Sequence, residues 1–373
     1  MSIELSKPVY WFPATLHFST DFDTFQVCQY KWALLRLFHW RRYVKNIHLT
    51  AGGEFAAAME LTRNAYYKQG LPAEEAIAIG KTWVLEKYAG LYFAEGYDDT
   101  KEAKTPERMA FVFEELWRQY PLINEPIHPF IMENGELSVE QEMKLPLEAI
   151  HPVLNKPLVL VGTLDKIGLQ STIVKGVDEK TASQVKEKTQ ENMDMLRTSG
   201  QFVEYCNMAN RLKEVFGDLQ MQHFVVHKIV CKKSYTKGES IIQRFEFNID
   251  FWYQDAWWKN MLRQVRVMLK GFAHLQEHGN LDYFLRDWGS SCNMYNKPCQ
   301  FTSHCTSGAC QDLSTLDFKQ VVCNRETQGK VIPLPTWIAY EKGELTLEQV
   351  FESVTVVESP KVETPEDYLD SFF

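Results

Sequence analysis

Two apolar, β-branched runs lie within residues 158–183, and each of them ends in an acid. The first run reaches Asp165, and the second, which starts at Thr172, reaches Asp178 and Lys180. Runs of this length and composition predict adjacent strands joined by a short turn. Antiparallel pairing across that turn brings Asp165 near Asp178, because their separation in the sequence matches one hairpin. The sequence therefore predicts a strand pair that gathers two carboxylates and one ammonium group.

This trio of side chains has two interpretations. Paired carboxylates hold hard divalent cations such as Mg²⁺ or Mn²⁺, which take oxygen ligands and keep several of their waters. Such an ion promotes attack of water on a phosphodiester, and Lys180 can orient that water or stabilise charge at phosphorus. In the alternative interpretation, Asp165 closes a turn and residues 178–180 are solvated charges at a strand end. On their own, these residues predict at most metal-assisted hydrolysis of a phosphoester.

A third motif follows the hairpin. After "GTLD", which ends at Asp165, and "VDEKTAS", which contains Asp178 and Lys180, the chain reads "QFVEY" from Gln201 to Tyr205. Gln201 and Tyr205 are four residues apart, so they share one face of a helix. In this order the segments resemble the "G-x-x-D", "D-x-K-T" and "Q-x-x-x-Y" patterns of the PD-(D/E)XK nuclease superfamily. The resemblance is to its RecB-like branch, which includes the CRISPR-adaptation exonucleases, the helicase-associated nuclease domains and many phage proteins.

The resemblance implies both a fold and an activity. The fold is α/β, with a restriction-endonuclease-like core in which helices flank a mixed central sheet, an N-terminal helical insertion and a C-terminal cysteine-rich cap. The activity is divalent-metal-dependent cleavage of DNA, expected to be exonucleolytic on single strands or DNA ends, in recombination, repair or phage DNA metabolism. The implied metal ligands are Asp165, Asp178 and the Glu179 carbonyl. Lys180 would assist the nucleophile, and Gln201 with Tyr205 would position substrate or water.

Five regions are expected along the chain. They are an N-terminal segment (1–48), a helical region (49–138), the nuclease core (139–250), a long helix with the cysteine-rich cap (251–325), and a C-terminal extension with an acidic tail (326–373).

One position departs from the resembled family. That family has a metal-binding histidine in a "G-x-x-x-H-x-x-x-[ED]" helix, and alignment on Gly53 puts Ala57 at this position. Glu54 and Glu60 lie about one turn on either side, so they can replace the lost metal ligand or be ordinary solvent-facing charges. Loss of the ligand also raises a second hypothesis, in which the chain is a catalytically weakened nuclease-fold subunit that binds DNA ends or serves in assembly.

Other charged and aromatic residues are expected to be mostly structural. Glu140 or Glu142, on a strand predicted before the hairpin, can add a carboxylate, although a solvated strand face is the expected role. The tryptophans of the long helix, Trp252, Trp257 and Trp258, are expected in the core rather than in a base-stacking surface. Phosphate contacts or a solvated hairpin tip are equally expected for a basic group comprising Arg41, Arg42, Lys45, Lys228, Lys232, Lys233 and Lys237.

The chain has eight cysteines, which is unusual for a cytosolic protein. Structural disulfides are rare in the cytosol, and clustered cysteines there more often bind metal or serve redox chemistry. Cys292, Cys299 and Cys305 have the spacing C-x6-C-x5-C, and Cys28 lies near the N-terminus. Members of the resembled branch that carry an iron–sulfur cluster have three such cysteines and one N-terminal cysteine in a "C-P-x-[KR]-[YF]" context. Here Gln29 replaces the proline. The resemblance implies a [4Fe–4S] cluster on these four thiolates.

Two alternatives to the cluster remain open. A zinc site is possible on Cys292, Cys299, Cys310 and either Cys305 or His304. In the other alternative, the four cysteines are unrelated buried thiols. Cys206 and Cys231 lie in apolar contexts and are expected in the core.

Composition narrows the class of protein further. The net charge of −9 argues against a passive DNA-coating protein, whereas an enzyme can use a local basic groove. No apolar run is long enough to span a bilayer, so no membrane partner and a cytoplasmic location, bacterial or that of a phage host, are expected. The last residues are rich in Pro, Glu and Asp. This acidic tail can dock on a replication or recombination protein, and in the alternative it is simply packed or disordered.

Overall fold

The computed structural model describes residues 9–41, 47–94, 97, 102–132, 134–182, 190–232, 234, 240–289, 292, 298–306, 313, 318–322, 327 and 330–353. The chain divides into two compact units. The first comprises Met1–Val44, Pro146–Val159 and Met261–Phe373, and the second comprises Lys45–Leu145 and Leu160–Asn260.

A mixed sheet is the main β-structure. Its strands are β1 (Thr15–Leu16), β3 (His128–Pro129), β4 (Val139–Ile150), β5 (Pro157–Gln170), β6 (Ile173–Ala182), β7 (His223–Val230) and β8 (Ile242–Asn248). The order is β1-β5-β6-β7-β8, and β3 and β4 also pair with β5. β5 and β6 are antiparallel, as are β7 and β8, whereas β6 and β7 are parallel. Parallel neighbours need a long crossover connection, which here contains helices α7 (Gln190–Arg197), α8 (Gly200–Arg211) and α9 (Lys213–Phe216).

The predicted hairpin of β5 and β6 is confirmed. Lys166 lies opposite Val177, and Gln170 lies opposite Ile173. Ser171, in the two-residue turn, has a φ of 57°. Left-handed backbone of this kind suits a tight hairpin turn. Because side chains alternate along a strand, Asp178 and Lys180 lie on one face of β6, and Glu179 and Thr181 lie on the other.

Helices flank the sheet, as expected for an α/β fold. Those of the second unit before the sheet are α3 (Ile47–Arg63), α4 (Ala73–Trp83), α5 (Ala89–Ala94) and α6 (Pro106–Gln119). α6 begins with Thr105 as its cap, whose hydroxyl accepts from the Arg108 N–H, and with Pro106 in the first turn. Its apolar face packs Phe113 against Phe55 of α3 in an edge-on ring contact. α3 contacts β6 on the face that carries Thr181.

The first unit has its own small sheet and core. Its sheet has the order β10 (Ile332–Pro333), β9 (Lys319–Val322), β2 (Trp40–Arg41). Its helices are α1 (Asp23–Val27), α2 (Gln29–Trp32), α11 (Thr302–Thr306), α12 (Leu334–Glu341) and α13 (Leu347–Ser353). Trp11, Ile332, Leu334 and Trp337 pack together in one apolar cluster. No helix among the described residues is long and apolar enough to cross a membrane.

The last helix of the sheet region, α10 (Phe251–His278), corrects one expectation. Trp252 is 71% exposed, so the prediction that it lies in the core is wrong. Trp257 and Trp258 are half-buried, and the Arg211 guanidinium lies 4.2 Å from the centre of the Trp258 ring. Phe251, the first residue of the helix, is also exposed, at 43%.

Candidate active site and cysteine pocket

The structure brings Asp165, Asp178 and Lys180 together on one face of the β5–β6 hairpin. The Lys180 ammonium lies 2.8 Å from Asp178 Oδ1. The Glu179 N–H donates to Asp165 Oδ2, which ties Asp165 to the β6 backbone. Asp178 is 1% exposed, whereas the Lys180 side chain is 47% exposed. The site therefore has a buried acid at its base and a cation that solvent or a ligand can reach.

Burial and neighbouring negative charge disfavour ionisation of the two acids. Burial and the nearby Asp178 raise the pKa of Asp165 well above its usual value. Burial also raises the pKa of Asp178, although Lys180 opposes the shift. Among the described residues, Asp178 Oδ2 is buried without a hydrogen-bond partner. Burial lowers the pKa of Lys180, but Asp178 and Asp165 more than offset this effect and its pKa lies above the ordinary value.

Helix α8 covers the same site. The Gln201 side-chain amide donates to the Tyr205 hydroxyl at 2.8 Å, so the two residues share one helix face as their spacing predicts. Burial and the charge of Asp178 raise the pKa of Tyr205. Gly162, on β5, permits this approach, because a Cβ atom there would lie 3.1 Å from the Tyr205 ring and 3.3 Å from the Met208 sulfur. The glycine of "GTLD" thus lets α8 pack closely on the strand that carries Asp165.

A third carboxylate acts at this site. Glu140 of β4 raises the pKa of Asp165 and also that of Lys180. Glu140 has a φ of 47°, which is rare for a residue other than glycine. Glu142, two residues further along β4, is exposed and pairs with Lys144 at 2.8 Å. Glu142 therefore lies on a solvated strand face, as expected, whereas Glu140 is half-buried.

Helix α3, which aligns with the histidine-bearing helix of the resembled family, places no carboxylate near Asp165 that ranks among the largest effects on its pKa. Ala57 is half-buried on α3, and the Glu54 carboxylate accepts from the Trp83 indole at 2.9 Å. The carboxylates with the largest effects on Asp165 are Asp178, Glu140 and Glu179, and neither Glu54 nor Glu60 is among them. The expectation that Glu54 takes the place of the missing ligand is not supported, because its side chain turns toward α4.

Glu179 turns its side chain to the opposite face of β6. Both of its carboxylate oxygens accept from Arg63, at 2.7 and 2.9 Å. Burial opposes ionisation of Glu179, but Arg63 and His227 hold its pKa below the usual range. Only the backbone carbonyl of Glu179 is therefore left for the metal role that the sequence suggested.

Arg63 is the centre of a buried charge network that sequence reasoning missed. Its guanidinium also lies 2.8 Å from Glu125, which accepts from the Lys166 ammonium and, at 3.0 Å, from the Tyr67 hydroxyl. Arg63 is 1% exposed, Lys166 is 0% and Glu125 is 6%. The one available signal was Lys166 itself, a lysine at a position of β5 that alternation predicts to be buried.

The four cysteines of the proposed cluster line one pocket in the first unit: Cys28, Cys292, Cys299 and Cys305. Burial raises the pKa of Cys305 to about 11, and the other three thiols add to this shift while Arg286 opposes it. The Lys31 N–H donates to Cys28 Sγ at 3.4 Å. The pocket thus gathers residues that are more than 260 positions apart in the sequence.

Gln29, at the position where the resembled family has proline, connects the segment of Cys28 to the segment of Leu285. Its side-chain carbonyl accepts from the Leu285 N–H at 3.3 Å, and the Tyr30 N–H donates to the Leu285 carbonyl at 3.1 Å. Arg286 follows directly, with its guanidinium 4.2 Å from the centre of the Tyr30 ring. His304 Nε2 lies 3.2 Å from the Tyr30 hydroxyl and does not line the pocket, which weighs against His304 as a zinc ligand.

Several expectations fall on residues outside the described part of the chain. These are the acidic tail after Ser353, Cys310, Arg42, Lys45, Lys233 and Lys237. Cys206 and Cys231 are buried, as expected.

Within the described ranges, no three His, Cys, Asp or Glu side chains are arranged to hold a single metal ion. Two carboxylates suffice for a cation that keeps its waters, and a cluster of four irons spaces its thiolates apart.

Comparison with known proteins adds little. No family model matches the chain, and no curated protein matches it. Among solved structures, 22 chains match. One of them, described as the crystal structure of SSO0001, is 12% identical over 59% of this chain and 78% of that chain, with a TM-score of 0.21. A similarity at that TM-score supports no inference about fold or function.

Proposed function

We propose that the chain is a divalent-metal-dependent deoxyribonuclease with a restriction-endonuclease-like core of the RecB-like type. The observation that carries the proposal is the meeting of Asp165 and Asp178 beside Lys180. One buried oxygen of Asp178 has no hydrogen-bond partner within the part of the chain that the structure describes. Burial raises the pKa of both carboxyl groups, and Asp178 further raises that of Asp165. The two acids therefore need a positive charge nearby to ionise together, and Lys180 supplies one. A divalent cation fits this donor set, because hard ions take carboxylate oxygens.

Each residue then has a role. Asp165 and Asp178 would hold Mg²⁺ or Mn²⁺, which supplies a Lewis acid for the phosphodiester. Lys180, whose pKa lies above its ordinary value, keeps its proton and holds a positive charge where a scissile phosphate can reach it. The Gln201–Tyr205 pair presents an amide and a hydroxyl on the same face for positioning substrate or water.

The substrate class comes from the resemblance. "DNA", "exonuclease" and "single strands or ends" are implied by the three motifs in order, and the hairpin supports only hydrolysis of a phosphoester. The same resemblance supports a role in recombination, repair or phage DNA metabolism in the cytoplasm. Docking of the acidic tail on a recombination or replication protein belongs to this proposal as well.

The cysteine pocket supports the second cofactor. Four thiols on one pocket fit a [4Fe–4S] cluster, which would join the segment of Cys28 to the segment of Cys292–Cys305. Its binding would then contribute to folding of the first unit, because metal binding generally couples to folding.

Cleavage of labelled DNA tests the proposed activity. Full-length protein with Mn²⁺ is expected to degrade single-stranded or duplex substrate, and Asp178→Ala is expected to lower the rate at least about 10³-fold, since metal-assisted charge stabilisation contributes several kcal/mol. Glu142→Gln, an exposed acid on the neighbouring strand, is the control and should cleave like the wild type. Equal rates for wild type and Asp178→Ala would rule out this active site.

Ala57 favours a second candidate function, a catalytically weakened subunit that binds DNA ends. The two candidates differ in one measurement. If the wild type binds an end-labelled duplex with Mn²⁺ but cleaves none of it, the binding function stands and the nuclease function does not.

Iron content tests the cluster. Protein purified without oxygen is expected to be brown with about four irons per chain, and Cys28→Ser should lose most of the iron. A colourless protein with about one zinc per chain would support the zinc alternative instead.

A further inference from the structure

Arg286 is a cation in the wall of the cysteine pocket. It lines the same pocket as the four thiols that would hold the cluster. The preceding residue fixes its position, because the Leu285 N–H donates to the Gln29 side-chain carbonyl at 3.3 Å and the Leu285 carbonyl accepts from the Tyr30 N–H at 3.1 Å. These two hydrogen bonds place Arg286 beside the segment that carries Cys28.

Two aromatic rings contact the guanidinium group. Its central carbon lies 4.2 Å from the centre of the Tyr30 ring and 5.6 Å from the centre of the Trp288 ring. Both residues also line the pocket. An aromatic ring attracts a cation through its quadrupole and, unlike a carboxylate, does not neutralise the charge. These contacts therefore hold the positive charge of Arg286 at the pocket without cancelling it.

The charge of Arg286 acts on one of the proposed cluster ligands. Burial raises the pKa of the Cys305 thiol, and Arg286 opposes this shift. Lys31 is the other basic residue that lines the pocket, but it is not among the groups with the largest effects on Cys305. The structure instead places the Lys31 backbone N–H 3.4 Å from Cys28 Sγ. Arg286 is therefore the pocket cation whose charge reaches a proposed ligand.

The charge of a four-thiolate cluster explains why such a cation matters. A [4Fe–4S]²⁺ core on four thiolates carries two negative charges in total, and uptake of one electron from a reductant gives a [4Fe–4S]⁺ core with three in total. A fixed positive charge attracts the reduced state more strongly than the oxidised state, and net charge is one determinant of the reduction potential of these clusters.

We propose that Arg286 tunes the cluster, because its positive charge stabilises the reduced state and so raises the reduction potential. The inference rests on the proposed cluster and concerns electron uptake, not cleavage of DNA. It assigns to Arg286 an effect on redox balance that the four thiols alone do not have.

The reduction potential of the cluster tests the inference in full-length protein purified without oxygen. Dithionite supplies the electrons in a mediated titration, and the electron paramagnetic resonance signal of the reduced cluster measures the reduced fraction. Arg286→Gln is expected to lower the equilibrium constant for reduction about 10-fold, which corresponds to about 59 mV for one electron. Lys342→Gln is the control, because Lys342 is a cation of the same unit that pairs with Glu344 at 3.9 Å and does not line the pocket. It should leave the potential unchanged.

A second substitution separates charge from packing. Arg286→Lys keeps the positive charge, so its potential should lie closer to that of the wild type than to that of Arg286→Gln. If Arg286→Gln loses most of its iron and Arg286→Lys retains it, the iron content itself shows that the cluster needs the charge. Loss of iron from both variants would mean that packing matters and charge does not, and it would overturn the inference.

Two further outcomes distinguish the inference from the proposed function. A wild-type potential in Arg286→Gln would overturn the inference and leave both the cluster and the nuclease function intact. A wild type that holds no iron would overturn the inference together with the cluster, and cleavage of DNA by the same protein would still decide the nuclease function separately.

Discussion

Asp178 and Glu179 are consecutive acids on β6, yet they face opposite sides of the sheet and meet opposite surroundings. On the Glu179 side, Arg63 donates to both carboxylate oxygens, and Glu125 is paired with Arg63 and Lys166. On the Asp178 side, Lys180 is the nearby cation, and burial raises the pKa of Asp178 instead of lowering it. Counting the described residues alone, the Glu179 side, here called the balanced face, pairs its charges. The Asp178 side, here called the unbalanced face, has more negative than positive charge.

The difference separates a structural role from a functional one. Removing a partner from a balanced buried pair strands a charge, so residues of the Arg63 network should be important for stability. Removing an acid from the unbalanced site relieves repulsion, so residues of the Asp178 site should be important for activity and cost little stability. Substitutions on the two faces of one strand can therefore test the division directly.

The largest expected effect is on the balanced face. Arg63→Met would leave Glu125 and Glu179 buried with less positive charge, so the free energy of unfolding should fall by about 3–5 kcal/mol. Urea titration measures it. Arg118→Met is the control, because Arg118 forms an ion pair with Glu115 at the surface of α6 and its side chain is 65% exposed. A small loss for Arg63→Met, similar to that of Arg118→Met, would contradict the structural role.

The next largest expected effect is the stabilisation of the folded chain by Mn²⁺ bound at the unbalanced face. Mn²⁺ at about 100 times its dissociation constant should stabilise the wild type by about 2.7 kcal/mol, because it binds the folded chain alone. Asp178→Asn should abolish this gain while keeping the metal-free stability of wild type. Glu179→Gln should behave in the opposite way, with a lower starting stability and an intact Mn²⁺ gain. Thermal unfolding with and without Mn²⁺ distinguishes these results.

These two faces also show what the sequence can and cannot predict. Asp165 and Asp178 are joined by a local hairpin, and Gln201 and Tyr205 by one helix turn, so short-range periodicity suffices to bring each pair together. Arg63 and Glu179 are 116 residues apart, and no local pattern links them.

A second limit on prediction from the sequence is the direction in which a side chain points. Glu54 has the right spacing to replace a ligand at Ala57, but it accepts from Trp83 on α4. Alternation along β4 predicted that Glu140 lies on a solvated strand face. This pattern does not reveal that the backbone at Glu140 has a φ of 47°. Trp252 was expected in the core because α10 is rich in aromatic residues. Composition does not show which of these residues are exposed, and Trp252 is. In each case tertiary packing decides where the side chain points.

A smaller effect concerns how closely α8 approaches the unbalanced face. Gly162→Ala would place a methyl group 3.1 Å from the Tyr205 ring, and overpacking of this kind costs about 1–3 kcal/mol. Cleavage should fall as well, because Tyr205 and Gln201 move together. Gly53→Ala is the control, since a Cβ atom there meets nothing within 4 Å and alanine favours the helix. Unchanged stability and cleavage in Gly162→Ala would show that the close approach is not needed.

The smallest effect is a pH dependence of opposite sign on the two faces. The pKa of Asp165 and that of Asp178 are raised in the folded chain by burial, and for Asp165 also by Asp178, so the native state binds more protons than the unfolded state above pH 3.8. Without metal, stability from this face therefore falls as pH rises, by up to about 1.4 kcal/mol per pH unit for each extra proton.

The pKa of Glu179 is lowered by Arg63 against the effect of burial, so its stabilisation is present above pH 4.5 and is lost as the pH falls below that value. Subtracting the pH profile of Asp178→Asn from that of the wild type should isolate the first slope, and subtracting that of Glu179→Gln should isolate the second. Slopes of the same sign would mean that the two acids share one electrostatic environment, and the division between a balanced and an unbalanced face of β6 would then be wrong.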